Sequence, residues 1–340
     1  LISSKVAYCC NGMEVPEISL QAFYEAVAGT SSREEVWQND SVQKLAHELR
    51  EACEQVGFFI LNDHGIDEVL IDSYRNECAA FFKRPPQSNV LGMVSDSRFL
   101  WLDYVPCEDG SAWSLGPVMG RRSIPWQLDQ KELLMLWADY YAAVERLVSH
   151  LMSLFAVSMS LPATTFDAAL ENHCSSMRAI LYPKLSQADL ESGDVVRSPE
   201  HTDWGCITVL LADPDVSGLE VCDKDGRWSP VQPTSRHALV VNLGELLQWW
   251  TGGKWLATPH RVVARSQNAE ERLSCPYFGL VNRNTILRPL LKEEGESITA
   301  GEFFQNHEKY HLAGQSDKDH SRALANENKG THLPSLCGLL

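Results

Sequence analysis

Apolar residues in the first half of the chain recur mainly at helical spacing. In residues 41–55 they follow the i, i+3, i+4 pattern of one helix face, and Ser41 is placed to cap that helix. The same pattern predicts helices over residues 66–82, ending before two prolines, and over residues 129–159. A short apolar stretch at residues 57–63 predicts a strand between the first two helices.

The second half of the chain has a different pattern, in which short apolar stretches are separated by Gly, Pro and Asp. These stretches predict strands over residues 177–183, 206–213, 218–223, 237–244, 260–264 and 274–281. A last helix is predicted near residues 300–312. Short strands at close spacing indicate a sandwich or barrel, so we expect an α+β fold in which helices flank a β core.

We expect residues 1–340 to form a single domain with three parts. Residues 1–175 are mainly helical, residues 176–290 form the β core, and residues 291–340 contain the last helix and a polar tail. Within the first part, residues 87–128 contain glycines, prolines and tryptophans without a sustained period, which predicts a long irregular loop. Loops of this length in compact domains are usually functional, so this loop is a candidate lid.

Charge and composition restrict the partners. The formal net charge of −16 would repel nucleic acid and anionic membranes, and there is no large Lys/Arg cluster to counter it. Neither a signal peptide nor an apolar run long enough to span a bilayer is evident, and the ten cysteines lack disulfide-like spacing. We expect a cytoplasmic monomer or weak dimer that binds a small molecule, with no nucleic-acid or membrane partner.

Two polar residues precede the predicted strand at 206–213. His201 and Asp203 in "HTDWG" are two positions apart, so at the start of a strand both side chains would point to one side and could reach one cation. His260, at the head of another predicted strand, is a candidate third ligand. Two histidines and one carboxylate leave coordination positions open, which suits iron(II) binding a cosubstrate and oxygen. The alternative is an ordinary strand entrance, with a capping Asp beside a packed His.

A candidate carboxylate site accompanies these residues. Arg272 and Ser274 in "RLSCPYF" share one face of a predicted strand, and the strand "RAILYP" ends in Tyr182. A planar guanidinium with two hydroxyl groups matches a carboxylate, because it can donate two parallel hydrogen bonds. Taken singly, each residue has an ordinary explanation: Arg272 as a surface cation, Ser274 as a strand residue and Tyr182 as a core aromatic.

The ordered set of motifs resembles the isopenicillin N synthase-like branch of the iron(II) and 2-oxoglutarate-dependent dioxygenases. The motifs that carry the resemblance are "GFFILNDHGI", "RAILYP", "HTDWG", "TGGKWLATPHRVV" and "RLSCPYF", and the likeness extends from about Pro16 to about His311. The resemblance implies a double-stranded β-helix, or jelly-roll, core backed by helices, with iron in its open end. It also implies that His64 is a structural residue.

The resemblance further implies roles for the site residues. The iron ligands would be His201, Asp203 and His260. Arg272 and Ser274 would be the R-x-S that holds the distal carboxylate of 2-oxoglutarate, assisted by Tyr182. Many plant members have Asn two residues before that tyrosine, whereas this chain has Ile180 and lacks that polar contact.

The implied activity is oxidation of an unactivated C–H bond of a small molecule, by hydroxylation, desaturation or oxidative cyclisation. Its cofactors would be Fe(II), 2-oxoglutarate and O2, with ascorbate as a candidate reductant. We interpret the substrate as a specialised metabolite, with an amino-acid derivative bearing carboxylates as the preferred class.

Several residues are candidates for the substrate wall. Arg178 shares a strand face with Ile180 and Tyr182, so it would point into the barrel and favour an acidic substrate. The other candidates are Trp204, Phe278, Phe99, Tyr104, Arg121 and Arg122. Ordinary packing or surface charge is the competing explanation for each of them.

Three alternatives remain open at the level of sequence. A 2-oxoglutarate-independent iron oxidase of the isopenicillin N synthase type would keep the same R-x-S. A zinc hydrolase would use the same three ligands, but no general base is evident nearby and the arginine would be unexplained. A non-catalytic small-molecule binder on the same fold would usually have lost a metal ligand, and here all three are present.

Overall fold

A computed structural model describes residues 13–83, 100–104, 131–191, 193–265, 269–291 and 297–312. Its helices are α1 (Gln21–Gly29), α2 (Arg33–Gln38), α3 (Asp40–Gln55), α4 (Glu68–Lys83), α5 (Lys131–Ser158), α6 (Asp167–Leu170), α7 (Gln187–Glu191), α8 (Glu245–Trp250) and α9 (Ala300–Leu312). Its strands are β1 (Glu17–Ser19), β2 (Phe58–Asn62), β3 (Leu100–Tyr104), β4 (Ser176–Tyr182), β5 (Val195–His201), β6 (Ile207–Ala212), β7 (Leu219–Cys222), β8 (Trp228–Pro230), β9 (Leu239–Leu243), β10 (His260–Ala264), β11 (Arg272–Gly279), β12 (Ile286–Leu287) and β13 (Ile298–Thr299).

Two sheets form the centre of the fold. The larger has seven strands in the order β1-β2-β9-β6-β11-β4-β3, and the smaller has four in the order β5-β10-β7-β8. Apart from the parallel pair β1 and β2, the paired strands of both sheets are antiparallel. Apolar residues of both sheets, including Leu210, Val240, Val221 and Val262, form one core between them. The predicted α+β fold with a jelly-roll core is confirmed.

Helices cover the other face of the larger sheet. The predicted helices at 41–55, 66–82 and 129–159 correspond to α3, α4 and α5, whose buried faces share a core with this sheet. The cap of α3 differs from the prediction. Asn39 has an extended backbone, and its Oδ1 accepts the backbone N–H of Ser41 at 2.9 Å, so Asn39 is the cap and Ser41 already lies inside the helix.

Alternation along β11 divides its side chains between the two cores. Leu273, Cys275 and Tyr277 belong to the core shared with the helices. Arg272 and Ser274, at the intervening positions, pair in register with Tyr182 and Ile180 of β4, which contribute to the core between the sheets. The even-numbered residues of β11 therefore face the inside of the jelly roll.

The prediction of an irregular loop over residues 87–128 is wrong for residues 100–104. These form β3, which pairs antiparallel with β4 along the edge of the larger sheet. The strand forms because the β4 edge supplies backbone hydrogen-bond partners, which a search for apolar periodicity does not detect. The rest of that segment lies outside the described residues. Among the described helices, none combines the length and the apolarity needed to cross a bilayer.

Candidate metal and cosubstrate site

Three side chains that can bind a metal meet at one end of the jelly roll. His201 ends β5, His260 begins β10, and these two residues are paired across the strands. The Nε2 atoms of His201 and His260 lie 3.9 and 3.8 Å from Oδ1 of Asp203. These separations are too long for hydrogen bonds, yet the three ligand atoms all lie within 4.8 Å of one another. One cation could therefore contact all three.

His201 and Asp203 do not begin one strand, which was the condition for strand alternation to place their side chains on one side. The strand ends at His201, and Asp203 lies in the turn between β5 and β6. The backbone leaves the sheet because the carbonyl of Asp203 accepts the N–H of Glu245 at 2.8 Å, at the start of α8. The two side chains thus converge through a turn and not through strand alternation.

Backbone carbonyls fix the orientation of both imidazoles. Nδ1 of His201 lies 2.8 Å from the carbonyl oxygen of Pro199, and Nδ1 of His260 lies 3.1 Å from that of Thr258. A carbonyl oxygen can only accept, so each Nδ1 carries the hydrogen. Each Nε2 then presents a lone pair towards Asp203, as metal-binding histidines do.

Asp203 is held in a matching orientation. Its Oδ2 accepts the hydroxyl of Thr208 at 2.5 Å and the amide of Asn242 at 2.7 Å, so Oδ1 faces the imidazoles. Burial raises the pKa of Asp203, but the neighbouring histidines and these two hydrogen bonds more than compensate, and its pKa is lowered overall. Burial, reinforced by the nearby His201, lowers the pKa of His260 to about 4. Both groups therefore favour the unprotonated form that binds metal.

A glycine allows the turn to pack closely against α8. A Cβ atom added to Gly244 would lie 2.2 Å from the carbonyl oxygen of Gly205 and 2.8 Å from that of Asp203. Gly244 also donates its N–H to the carbonyl of Cys206 at 3.0 Å. Sequence analysis missed this contact. Its signal was a glycine directly after an apolar strand, a position where backbone segments often approach closely.

The buried guanidinium of Arg272 lies deeper in the jelly roll. It is 2% exposed, and its Cζ lies 5.6 Å from the centre of the Tyr182 ring. Its Nε and Nη1 have no hydrogen-bond partner within the described part of the chain, and burial lowers its pKa. An unpaired buried cation is costly, whereas an anionic ligand group could accept hydrogen bonds from it, so these residues fit such a group.

Arg197 is a second buried arginine, and it lies beside the same tyrosine as Arg272. The sequence pattern did not predict it. Its Cζ lies 5.8 Å from the same Tyr182 ring, and its Nη2 donates to the carbonyl oxygens of Pro183 and Glu270 at 2.8 and 2.9 Å. The signal was an arginine four residues before His201, directly after two valines. Two buried cations make this region positive within a chain whose net charge is −16.

Two of the predicted substrate residues lie together near the metal end. Phe278 pairs in register with Thr208, whose hydroxyl contacts Asp203, so the two side chains share the interior face. The guanidinium carbon of half-buried Arg178 lies 5.9 Å from the centre of the Phe278 ring. Arg178 and Phe278 are therefore close to each other and on the side of the jelly roll that holds His201, Asp203 and His260.

The other predicted substrate residues are placed differently. The ring of Trp204 lies 5.7 Å from that of His307, so it contacts the C-terminal helix α9. Tyr104 lies in β3, and its side chain is outside what the structure describes. Phe99, Arg121 and Arg122 lie outside the described residues. His64, as the resemblance implied, contacts backbone: its Nδ1 accepts the N–H of Ile66, and its Nε2 lies 2.9 Å from the carbonyl of His237.

Comparison with known proteins agrees with this geometry. Residues 171–280 match the profile of the 2OG-Fe(II) oxygenase superfamily. Residues 16–89 match a second profile, which is described as "non-haem dioxygenase in morphine synthesis N-terminal". The 2-oxoglutarate-dependent dioxygenase citB of Monascus ruber is 32% identical over 277 residues, which cover 74% of this chain and 83% of that protein. The chain belongs to the 2OG-Fe(II) oxygenase superfamily.

Other similar proteins match nearly the whole length of this chain. The 2-oxoglutarate-dependent dioxygenase caaD of Aspergillus niger is 28% identical over 347 residues, covering 94% of this chain and 97% of that protein. The structure of a full-length Neurospora crassa protein in complex with alpha-KG superposes with a TM-score of 0.72 at 22% identity, covering 90% and 99% of the two chains. JOX2 in complex with 2OG, Fe and JA gives a TM-score of 0.64 at 22% identity, covering 91% and 88%.

The protein is therefore an Fe(II)- and 2-oxoglutarate-dependent dioxygenase, as the sequence resemblance implied. Its cofactors are Fe(II) and 2-oxoglutarate. The predicted reaction class and cofactors are confirmed.

Proposed function

We propose that His201, Asp203 and His260 bind the ferrous ion of this oxygenase. The convergence of two Nε2 atoms and one carboxylate oxygen within 4.8 Å is the observation that carries this proposal. Two histidines and one carboxylate are the ligand set of non-haem iron(II) oxygenases. The side chains of Asp203 and His260 are each 9% exposed and that of His201 is 33% exposed, so the site is accessible beside His201.

Arg272, Ser274 and Tyr182 form the proposed seat for the distal carboxylate of 2-oxoglutarate. The unpaired Nε and Nη1 of Arg272 support this role, because a buried cation with unsatisfied donors favours an anionic ligand group such as a carboxylate. Ile180 pairs with Ser274, where many plant members have an Asn that contacts the cosubstrate. We therefore expect Arg272 to supply most of the cosubstrate binding energy.

Iron and 2-oxoglutarate, when bound, supply the oxidising chemistry: O2 decarboxylates 2-oxoglutarate to succinate and carbon dioxide, and a substrate C–H bond is oxidised. The residues of the chain bind and orient the reactants and exclude water. Leu210, Val240 and Val262 provide an apolar interior beside the proposed site. A covering role for residues 87–128 stays a prediction.

The proposed substrate is a small acidic metabolite. Arg178 supports this choice because its guanidinium lies over Phe278 on the interior face, on the same side as the three ligands. Proteins of similar structure bind or oxidise small molecules. The Neurospora crassa protein was also crystallised with thymine, and DAO of rice is a dioxygenase for auxin oxidation. We place the enzyme in specialised metabolism, in the cytoplasm and as a monomer or weak dimer, with a carboxylate-bearing amino-acid derivative as the preferred substrate class.

Anaerobic reconstitution with Fe(II) and 2-oxoglutarate, followed by addition of O2, tests the proposal. A panel of small carboxylic acids and their matching methyl esters is the substrate set, and succinate and oxidised product are both measured. We expect succinate formation to rise with an acid and not with its ester. Equal succinate formation with an acid and its ester would contradict the proposed acidic substrate.

A further inference from the structure

A buried histidine connects the C-terminal helix to the proposed metal site. Nε2 of His307, on α9, lies 2.8 Å from Oε2 of Glu245, on α8, and their side chains are 2% and 1% exposed. Nδ1 of His307 lies 2.9 Å from the carbonyl oxygen of Phe303, one turn earlier. Both ring nitrogens therefore have a defined partner, which fixes the orientation of the imidazole and of the carboxylate facing it.

Glu245 in turn contacts the chain segment that carries two of the proposed ligands. Its Oε1 accepts the hydroxyl of Thr202, the residue between His201 and Asp203. Its backbone N–H donates to the carbonyl oxygen of Asp203 at 2.8 Å. One glutamate thus holds the ligand segment at two points and α9 at a third.

Aromatic contacts join the same elements. The His307 ring lies 4.2 Å from the Phe303 ring and 5.7 Å from the ring of Trp204, which directly follows Asp203. Helix α9 therefore packs on the ligand segment as well as on α8. These contacts join α9 to the turn at residues 202–204.

A buried His–Glu pair is a poor choice for stability alone. Desolvation of both groups offsets their attraction, and well-packed apolar residues often do as well or better. The chain contains another His–Glu pair, His173 with Glu145, also at 2.8 Å, but there the side chains are 13% and 44% exposed. That pair lies against Ser175 and contacts none of the proposed ligands. It provides a matched control for the role of the buried pair.

We propose that His307 is a positioning residue for the metal site. It orients Glu245, which holds Thr202 and the backbone of Asp203, so that full metal affinity requires α9 to be docked. The inference rests on the proposed ligand set of His201, Asp203 and His260. Groups that orient ligands from outside the coordination sphere commonly contribute about 10–100-fold to metal affinity.

The test is a titration of the full chain with Co(II), followed by the absorbance of the bound ion. We expect His307→Ala to weaken Co(II) binding about 10–100-fold, as for other residues that support metal ligands. His173→Ala removes the control pair and should leave the Co(II) affinity unchanged. Hydrogen exchange of the amides of residues 201–206 should become faster in His307→Ala and stay unchanged in His173→Ala.

A second pair of variants keeps the test decisive if His307→Ala fails to fold. Thr202→Val removes only the hydroxyl that donates to Glu245 and should also weaken Co(II) binding, whereas Thr202→Ser keeps a hydroxyl and should restore most of the affinity. His260→Ala is the control for the ligand set and should lose Co(II) binding. If it does, wild-type Co(II) affinity in Thr202→Val, or in a folded His307→Ala, would overturn the inference. Retained affinity in His260→Ala would instead overturn the proposed ligand set.

Discussion

The guanidinium carbon of Arg272 lies 5.6 Å from the centre of the Tyr182 ring, and two nitrogens of that guanidinium have no hydrogen-bond partner among the described residues. We expect Arg272→Leu to weaken 2-oxoglutarate binding by about 2–5 kcal/mol, as for other truncated buried charge pairs. Anaerobic titration of the Fe(II) enzyme with 2-oxoglutarate measures the effect. Arg265→Leu, which removes a partly exposed partner of Glu220 and Asp194, is the control. Equal affinities in both variants would refute the assignment of Arg272.

Removal of an imidazole ligand should separate iron binding from folding. In His260→Ala, we expect Fe(II) binding and iron-dependent turnover to be lost, because Asp203 and His201 alone leave the ion with too few protein ligands. Circular dichroism should show an intact fold. His150→Ala, which removes a half-buried imidazole beside Tyr24, should retain iron binding. Retained turnover in His260→Ala would exclude it from the ligand set.

The close approach at Gly244 predicts a defect without loss of any functional side chain. Gly244→Ala would place Cβ 2.2 Å from the carbonyl oxygen of Gly205, so the turn that carries Asp203 must shift. We expect weaker Fe(II) binding and a lower melting temperature. Gly29→Ala, at the end of α1 with nothing within 4 Å of the added carbon, should leave iron binding unchanged and should not lower the melting temperature. Normal iron affinity in Gly244→Ala would show that the turn tolerates displacement.

Arg178 predicts substrate selectivity. For an acid identified in the substrate panel, Arg178→Leu should raise KM strongly, because it removes a cation beside Phe278 at the metal end. The affinity for 2-oxoglutarate should change far less, since Arg272 is at the other end of the interior face. Steady-state kinetics with the acid and anaerobic titration with 2-oxoglutarate measure this difference. An unchanged KM for the acid would show that Arg178 does not recognise its carboxylate.

The cap of α3 gives a stability prediction. Asn39→Ala should lower the free energy of unfolding by about 1 kcal/mol, the usual effect of losing an N-cap side chain. Ser41→Ala should have a much smaller effect, because Asn39 accepts the Ser41 N–H through its own side chain. Chemical denaturation of the two variants compares them, and the reverse order would restore Ser41 as the cap.

Elements with a strong apolar period could be predicted from the sequence. Helices α3, α4 and α5 and strands β6, β9 and β11 each bury a repeating set of residues, and their predicted positions agree with the structure to within a few residues. Strand β5 could not be predicted in this way. Its sequence "VVRSPEH" is largely polar, and it forms because it pairs with β10 beside the ligands.

His201 and Asp203 were recognisable as candidate ligands because they belong to one local motif, whereas the residues that support them do not. His201 and Asp203 are two residues apart, and the sequence predicted their convergence although the path of the backbone between them was wrong. Glu245 and His307 are 62 positions apart and belong to different helices. No local spacing connects them, so the contact became evident only from the folded chain.

The two-sided strand β11 has a consequence for how this enzyme could diversify. Leu273, Cys275 and Tyr277 hold the strand against the helices, while the residues between them face the inside of the jelly roll. Substitutions at a position such as Phe278 can therefore alter which molecules are accepted with little effect on the scaffold. Directed evolution that restricts its libraries to such inward positions, sparing Arg272 and Ser274, should yield altered selectivity with few misfolded members.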